Sequence, residues 1–224
     1  EEALRQWEKA KKEKRIEDAY KYASRTSRFS DEMLSDSKEL LKLMGMPYVQ
    51  APGEGEAQCV HMCSRGDSWA VGSQDYDSLL LGAPRLVKGL TLSGKTELSI
   101  IHLADVLNEL GVTREQLIDV AILVGTDFNE GVTGIGPKKG LKIVKEDRID
   151  SLNLDFDIDS VRDLFLNPKV SDDYHIHWDE PDEESLIKFL CDEHDFLENR
   201  IKKAAGNLRG ALKEFSQKDL SAWF

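Results

Sequence analysis

The chain has 224 residues, of which 40% are hydrophobic and 8% are aromatic, and this ordinary globular composition excludes a disordered or fibrous chain. No apolar run approaches the roughly 18 residues that a membrane-spanning helix needs, so a membrane function is not expected. The net charge of −12 argues against nucleic-acid binding by the chain as a whole, because phosphate contacts depend on Lys and Arg.

The acidic excess is confined to one block of the sequence. Residues 147–200 contain 17 acidic and 5 basic residues, and the rest of the chain contains 25 of each. The remainder is therefore compatible with a phosphate-binding surface. The three cysteines form no even set, so we expect reduced thiols in an intracellular protein.

The first half of the sequence predicts an α/β domain. Residues 1–43 are continuous helix-forming sequence with basic residues near the start, which form either a solvated helical face or a helix that borders DNA. A short strand is predicted over residues 48–50, then the helix "GEAQCVHMCSRG", the strand "SWAVGS", two further strands and a helix. This alternation predicts a mostly parallel sheet flanked by helices over residues 44–112.

Sheet signals stop at Thr113. "TREQLIDVAILVGTDF" is predicted to be a helix capped by Thr113, and Pro137 is predicted to begin the next helix after a glycine-rich loop. We expect a DNA-binding region of two helices and their loop over residues 113–200, with the acidic block inserted as further helices. The last helix is predicted over Glu198–Phe215, so residues 201–224 comprise the larger part of this helix and a tail.

Five acidic residues follow predicted strand or helix ends. Two pairs occur as "GEGE" and "QDYD", and a single acid follows in "VGTDF". Ligands bind beyond the carboxyl ends of strands in open α/β sheets, and crowded carboxylates need divalent cations to offset their repulsion. Oxygen ligands alone favour Mg²⁺ or Mn²⁺ over Zn²⁺. Each acid taken alone also fits a turn or a helix cap, whereas together they predict one acidic site, which comprises Glu54, Glu56, Asp75, Asp77 and Asp127.

The segment "GVTGIGPKKG" predicts a phosphate-binding loop. Gly134 and Gly136 allow a tight turn and a close approach, and Lys138 and Lys139 place positive charge beside a helix N-terminus. The flanking helices indicate a helix-hairpin-helix contact with the DNA backbone, without base recognition. The alternative is a turn that only joins two helices.

The C-terminal segment "QKDLSAWF" carries apolar residues at helical spacing. The pattern predicts that they dock in the pocket of a partner protein, and the alternative is docking on the chain's own core. The residues of this predicted partner-binding tail are Gln217, Leu220, Trp223 and Phe224.

Taken together, "LMGMPYVQAPGEGEAQ", "GSQDYDSLLLGAP", "LVGTDFNEGVTGIGPKKG", "EPDEESLIKFLCDEHDF" and the tail resemble the flap endonucleases of archaea and eukaryotes, which belong to the structure-specific 5′-nuclease superfamily. The resemblance covers nearly the whole chain in the family's order. It implies a PIN-like nuclease core followed by an all-helical helix-hairpin-helix region. It also implies 5′-flap endonuclease and 5′-3′ exonuclease activity on branched DNA in replication and repair, in the cytoplasm of an archaeon or the nucleus of a eukaryote.

The resemblance assigns roles to the same residues. The five acids of the acidic site would hold two Mg²⁺ ions, which Mn²⁺ can replace, for phosphodiester hydrolysis. The loop with Gly134, Gly136, Lys138 and Lys139 would bind the duplex backbone beside a K⁺ ion. The tail would bind the sliding clamp, PCNA.

One departure from the family pattern affects the expected activity. The family's first part, with two further metal-binding aspartates, has no counterpart in this sequence, so we expect the chain alone to cleave little or nothing. The N-terminal nuclease half that it needs is either a separate polypeptide or has been removed. The alternatives are a noncatalytic module that binds DNA and the clamp, and a relative that acts on junctions or on RNA.

Overall fold

The computed structural model describes residues 30–90, 97–152 and 154–221, with only the backbone described for 215–221. The chain divides into two compact units, one formed by Val49–His175 and the other by the described residues of Glu1–Tyr48 and Ile176–Phe224. The segments predicted from the sequence, 1–43, 44–112, 113–200 and 201–224, stay a prediction. No helix in the described ranges is long and apolar enough to cross a membrane.

The unit Val49–His175 contains the sheet and most of the helices. Its helices are α2 (Gly55–Arg65), α3 (Asp77–Leu80), α4 (Leu103–Leu110), α5 (Arg114–Val124), α6 (Pro137–Lys145) and α7 (Ile158–Leu166), with a 3₁₀ turn at Ile149–Ser151. Its strands are β1 (Val71–Gly72), β2 (Arg85–Lys88) and β3 (Ser99–His102).

The described strands form one sheet in the order β1, β2, β3. Strand β1 pairs in parallel with β2, with Val71 opposite Leu86, and β2 pairs antiparallel with β3, with Leu86 opposite Ile101. The α/β class predicted from the sequence is confirmed, but this sheet is mixed rather than mostly parallel. The physical reason is that residues 89–98, which join β2 to β3, are too few for a crossover connection.

Helix α5 forms the centre of this unit. Thr113 and Gln116 form the predicted capping box, in which the Thr113 hydroxyl accepts from Gln116 N and the Gln116 side chain accepts from Thr113 N. Ile118 and Ile122 of α5 are fully buried and pack with Phe165 of α7 and Leu80 of α3. Burial at this four-residue spacing is what an amphipathic helix produces.

The other compact unit consists of helices. These are α1 (Asp31–Leu43), α8 (Glu183–Ile187), a π-helical turn (Lys188–Asp192) and α9 (Glu198–Ser221). Leu186 of α8 packs with Ile201 and Ala205 of α9 and with Leu40 of α1. Two backbone bonds, from Asp179 N to Gly45 O at 2.9 Å and from Asp182 N to Leu43 O at 2.9 Å, join the end of α1 to the segment before α8.

Part of the acidic block is held against α2 by specific hydrogen bonds. The buried Gln58 amide donates to Ser171 O at 2.8 Å and accepts from Ser171 N at 2.9 Å. The Asp172 carboxylate accepts from Arg65 Nη1 and contacts His61 Nε2, both at 2.7 Å. The bonds of Ser171 and Asp172 therefore fasten the connection after α7 onto α2 of the same unit.

Three local predictions are wrong within the described residues. Residues 48–50 form no strand, because no other backbone segment in the described residues pairs with them. The helix predicted to run continuously over 1–43 has a start at Asp31, because the extended backbone and hydroxyl of Ser30 cap α1, and residues 1–29 lie outside the described residues. The C-terminal helix, predicted to end near residue 215, extends to Ser221.

Candidate functional site

The acidic pair Asp75 and Asp77 lies where strand β1 ends, as predicted. Ser73 N donates to Val87 O at 3.2 Å, which fixes the end of β1 against β2. The chain then turns, with Asp75 N donating to Ser73 Oγ at 3.1 Å, and Asp77 begins the short helix α3. Asp75 is exposed and Asp77 is half-buried.

The second pair flanks the start of helix α2. Glu54 is the exposed N-cap residue, and Glu56 lies half-buried in the first turn. Both oxygens of the Glu56 carboxylate accept hydrogen bonds: Oε1 from Ser73 Oγ, and Oε2 from Ser78 Oγ at 3.1 Å. Glu56 is thereby tied to the turn that carries the other acidic pair.

The single acid, Asp127, is exposed in a tight turn just beyond the end of α5. Thr126 N donates to Asn129 O at 2.9 Å, and Asn129 N donates to Thr126 O at 3.2 Å. The Asn129 amide also donates to Ile122 O at 2.8 Å, which ties the turn to the buried face of α5. Sequence analysis placed Asp127 at the helix end, whereas α5 ends at Val124 and Asp127 belongs to this turn.

Electrostatics show that four of the five predicted acids share one neighbourhood. The pKa of Asp77 is raised, first by burial and then by repulsion from Asp127, Glu56 and Asp75. Acids from three chain segments between residues 56 and 127 therefore act on one another, and Glu54 caps the helix that carries Glu56.

The acidic site suits a hard divalent cation by its chemistry. Its donors are carboxylate oxygens, the ligands that Mg²⁺ and Mn²⁺ prefer, and a bound cation would relieve the repulsion at Asp77. Within the described ranges, no group of three or more Asp, Glu, His or Cys side chains is arranged to hold a metal ion. The fit therefore rests on the donor set and on the shared electrostatics.

The predicted phosphate-binding loop lies between helices α5 and α6 and in the same compact unit as the acidic site. Gly134 has a φ of +79°, a left-handed conformation that favours glycine, and Gly136 has an extended backbone that any residue can adopt. A methyl group at either position would meet no described atom within 4 Å. A glycine at position 136 is thus not required by local packing, and it keeps the helix N-terminus accessible.

Helix α6 begins with Pro137 at its first position, as predicted. The N–H groups of its first turn have no partner within the helix, and Lys138 and Lys139 are exposed beside them. Lys139 Nζ donates to Gly134 O at 3.2 Å, so one lysine also braces the loop. Ile135, Ile143 and Val144 bury the inner side of the loop and of α6 against Leu123.

Sequence analysis missed Ser73 and Ser78, the two hydroxyl donors to Glu56. The signal that could have found them is their position on either side of the acidic pair in "SQDYDS". In the predicted tail, Gln217 and Leu220 belong to the part of α9 for which only the backbone is described. Trp223 and Phe224 lie outside the described residues.

The raised pKa of Asp77 predicts that this carboxylate destabilises the fold when no divalent cation is present. In the folded protein Asp77 keeps its proton at a pH where the unfolded chain, with an ordinary value of 3.8, has lost it, so its contribution to stability falls as pH rises above about 4. Asp77→Asn, which cannot ionise, should unfold at a higher temperature than the unsubstituted protein at pH 7 in EDTA.

This stability difference should shrink towards pH 4, which thermal denaturation followed by circular dichroism across pH 4–8 will measure. Millimolar Mg²⁺ should stabilise the unsubstituted protein more than Asp77→Asn, because a ligand stabilises the state that binds it. A difference that does not change with pH would contradict this assignment.

Comparison with known proteins identifies the family. Residues 45–127, a range that includes all five acids, match the family model described as the XPG I-region. Flap endonuclease 1 from Methanothermobacter thermautotrophicus is 52% identical over 227 residues, which cover 98% of this chain and 69% of the relative.

Two solved structures share the fold. Flap endonuclease-1 from Methanococcus jannaschii matches with a TM-score of 0.78 and 45% identity, covering 87% of this chain and 62% of that chain. The catalytic core of Rad2 in complex with DNA substrate matches with a TM-score of 0.71 and 23% identity, covering 83% of this chain and 72% of that chain.

This chain thus spans about two thirds of the length of these proteins. The predicted family and fold class are confirmed. With 52% identity over almost its whole length and the XPG I-region across its acidic residues, the chain belongs to the flap endonuclease family of structure-specific nucleases, which act on DNA phosphodiester bonds in replication and repair.

Proposed function

We propose that this chain supplies the acidic metal-binding centre and the duplex-binding loop of a 5′-flap endonuclease and 5′-3′ exonuclease. The observation that carries the proposal is that Glu56, tied by Ser73 and Ser78 to the turn of Asp75 and Asp77, shares one neighbourhood with Asp77, whose pKa is raised first by burial and then by Asp127, Glu56 and Asp75. The family relation and the helix-loop-helix in the same compact unit support a DNA substrate.

Glu54, Glu56, Asp75, Asp77 and Asp127 are proposed to hold two Mg²⁺ ions, with Mn²⁺ as a substitute. When bound, such ions activate a water molecule and neutralise the charge that develops on the phosphate. The chain's own residues do the positioning: Asp75 and Asp77 lie in the turn that follows β1, and Glu56 is fixed from α2 by two hydroxyl groups. The carboxylates hold charge and orientation rather than transfer protons.

The loop at the start of α6 is proposed to bind the phosphate backbone of the duplex, beside a K⁺ ion. Free N–H groups of the first turn and the ammonium groups of Lys138 and Lys139 are suited to phosphate oxygens. The contact reads no bases, so the substrate is recognised by its branched shape. The Rad2 core, bound to DNA substrate in its solved structure, has the same fold.

The proposal is tested by cleavage of a synthetic 5′-flap DNA with Mg²⁺. The purified chain is assayed alone and mixed with the part of a flap endonuclease relative that this chain does not span, on the flap and on a matched linear duplex. We expect Mg²⁺-dependent cleavage of the flap in the mixture and little by the chain alone. Flap binding without cleavage in any mixture would support the noncatalytic alternative, and preference for an RNA flap would support the ribonuclease alternative.

Lys138→Ala should weaken DNA binding on every sequence and flatten its salt dependence. Each phosphate contact adds about 0.9 to the slope of log affinity against log salt concentration, so the slope should fall by about one. Fluorescence anisotropy with a labelled flap at several salt concentrations measures it. The matched control is Lys202→Ala, an exposed lysine of α9 paired with Glu198 at 2.7 Å, and an unchanged slope for Lys138→Ala would count against the phosphate contact.

The tail is proposed to bind the sliding clamp PCNA, on the strength of its Q-x-x-L-x-x-aromatic-aromatic pattern. Helix α9 carries the backbone of Gln217 and Leu220 up to Ser221. Deletion of residues 217–224 should abolish binding to a purified clamp by surface plasmon resonance and leave flap-DNA binding unchanged. Clamp binding that survives the deletion would refute the proposal.

We also propose an intracellular location, nuclear in a eukaryote and cytoplasmic in an archaeon.

A further inference from the structure

We infer that Ser73 and Ser78 are positioning residues that hold the Glu56 carboxylate in register with Asp75 and Asp77, and that cation affinity at the acidic site depends on them. The inference rests on the proposed function and adds to it two residues of this chain with a stated role.

The first observation is that the two hydroxyls divide the Glu56 carboxylate between them. Ser73 Oγ donates to Oε1, and Ser78 Oγ donates to Oε2 at 3.1 Å. Each carboxylate oxygen has two lone-pair directions, so one bond to each oxygen fixes the plane of the group and leaves acceptor capacity free on both. Such a carboxylate is oriented and remains able to bind a cation.

The second observation is where the two serines are anchored. Ser73 is fixed to β2 through its N–H bond to Val87 O at 3.2 Å, and its hydroxyl also accepts from Asp75 N at 3.1 Å. The Ser73 hydroxyl therefore bonds the carboxylate of Glu56 and the backbone of Asp75 at once. It links one residue of each acidic pair directly.

Ser78 forms the other link. It is fully buried, and it directly follows Asp77 in α3, where its carbonyl accepts from Ala83 N at 2.8 Å. A buried hydroxyl needs a protein partner, and Glu56 Oε2 is the acceptor to which it donates. Its position is set by the core rather than by solvent, so it provides a rigid reference point for Glu56 beside Asp77.

The third observation is that the bonds from Ser73 and Ser78 bring the Glu56 carboxylate to the turn that carries Asp75 and Asp77, so groups of like charge lie close together and repel one another. Glu56 is half-buried on a flexible side chain, and without its two donors it would relieve the repulsion by rotating towards solvent. The hydroxyls oppose that rotation before any cation binds. Loss of partners that orient metal ligands typically lowers metal affinity by about 10- to 100-fold.

The test uses the full chain and Mn²⁺ as the probe, with free Mn²⁺ measured by electron paramagnetic resonance. Ser73→Ala/Ser78→Ala should raise the Mn²⁺ dissociation constant about tenfold or more. Ser73→Thr, which keeps the hydroxyl, should bind as the unsubstituted chain does. Ser64→Ala, which removes an exposed hydroxyl on the same helix as Glu56, is the matched control and should change nothing.

A second readout comes from flap cleavage in the complemented enzyme. The Mg²⁺ concentration for half-maximal rate should rise by a similar factor in the double variant, while KM for DNA at saturating Mg²⁺ stays unchanged. A merely structural role for the serines would instead lower the unfolding temperature and leave Mn²⁺ affinity of the folded fraction intact. If Ser78→Ala does not fold, the Mn²⁺ dissociation constants of Ser73→Ala and Ser78→Cys are measured in place of that of the double variant.

The outcomes separate this inference from the proposed function. Unchanged Mn²⁺ affinity in the folded serine variants, together with weakened binding in Glu56→Gln, would overturn the positioning role and leave the metal centre standing. Absence of both Mn²⁺ binding and Mg²⁺-dependent cleavage in the unsubstituted protein would overturn the proposed function and this inference with it.

Discussion

Asp77→Ala is expected to lower the rate of flap cleavage by the complemented enzyme about a thousandfold or more. Asp77 is the acid on which the charges of Glu56, Asp75 and Asp127 converge, so its loss removes the centre of the proposed cation site. Metal ions contribute several kcal/mol to charge stabilisation in the transition state, and about 1.4 kcal/mol corresponds to tenfold in rate. Single-turnover cleavage of a labelled flap at saturating enzyme will measure the effect.

Binding of the flap by Asp77→Ala should stay within about twofold of the unsubstituted protein, since the proposed duplex contacts lie on α6. Glu109→Ala is the matched control, because Glu109 is an exposed acid of α4 outside the acidic site. It should leave the cleavage rate unchanged. Equal losses for Asp77→Ala and Glu109→Ala, or a rate within tenfold of normal for Asp77→Ala, would contradict the role given to Asp77.

Arg114→Met is expected to destabilise the unit Val49–His175 by about 3 kcal/mol, the range for lost hydrogen bonds from a charged donor. The Arg114 guanidinium donates to Leu80 O and Leu81 O at 2.9 Å each and to Phe165 O at 2.8 Å. It thereby joins the start of α5 to the ends of α3 and α7. Its loss leaves three carbonyl groups at a partly buried junction without their donor.

Urea denaturation followed by circular dichroism measures this loss of stability. Arg148→Met is the control, because the exposed Arg148 pairs with Glu146 on the surface, and exposed ion pairs contribute at most about 1 kcal/mol. Because Leu80 and Leu81 follow Asp77 and Ser78 directly, Arg114→Met should also weaken Mn²⁺ binding below the unfolding transition. A stability loss no larger than that of Arg148→Met would refute the bridging role.

Local signals made the helices around the glycine loop predictable. Thr113 with Gln116 specifies a helix start by itself, and Pro137 marks the first position of α6, so both helices follow from neighbouring residues. The acids were recognisable in the sequence as a set that follows element ends. Which of them bind a cation stays a prediction.

Features that depend on long-range pairing were not predictable in the same way. Residues 48–50 have strand-like composition, but a strand requires a partner strand. Local sequence does not determine which segments pair. The bonds from Ser73 and Ser78 to Glu56 are likewise contacts between separate elements, 17 and 22 residues apart in the sequence. Secondary-structure signals place each segment, whereas tertiary packing decides what its side chains touch.

We propose above all that acids from three chain segments form one divalent-cation centre. Anomalous diffraction from crystals grown with Mn²⁺ tests it most directly, because the scattering peaks locate the ion without reference to activity. We expect anomalous density among Glu56, Asp75, Asp77 and Asp127, and we expect Asp77→Ala to lose that density. Density elsewhere, or none at a Mn²⁺ concentration that supports flap cleavage, would contradict it.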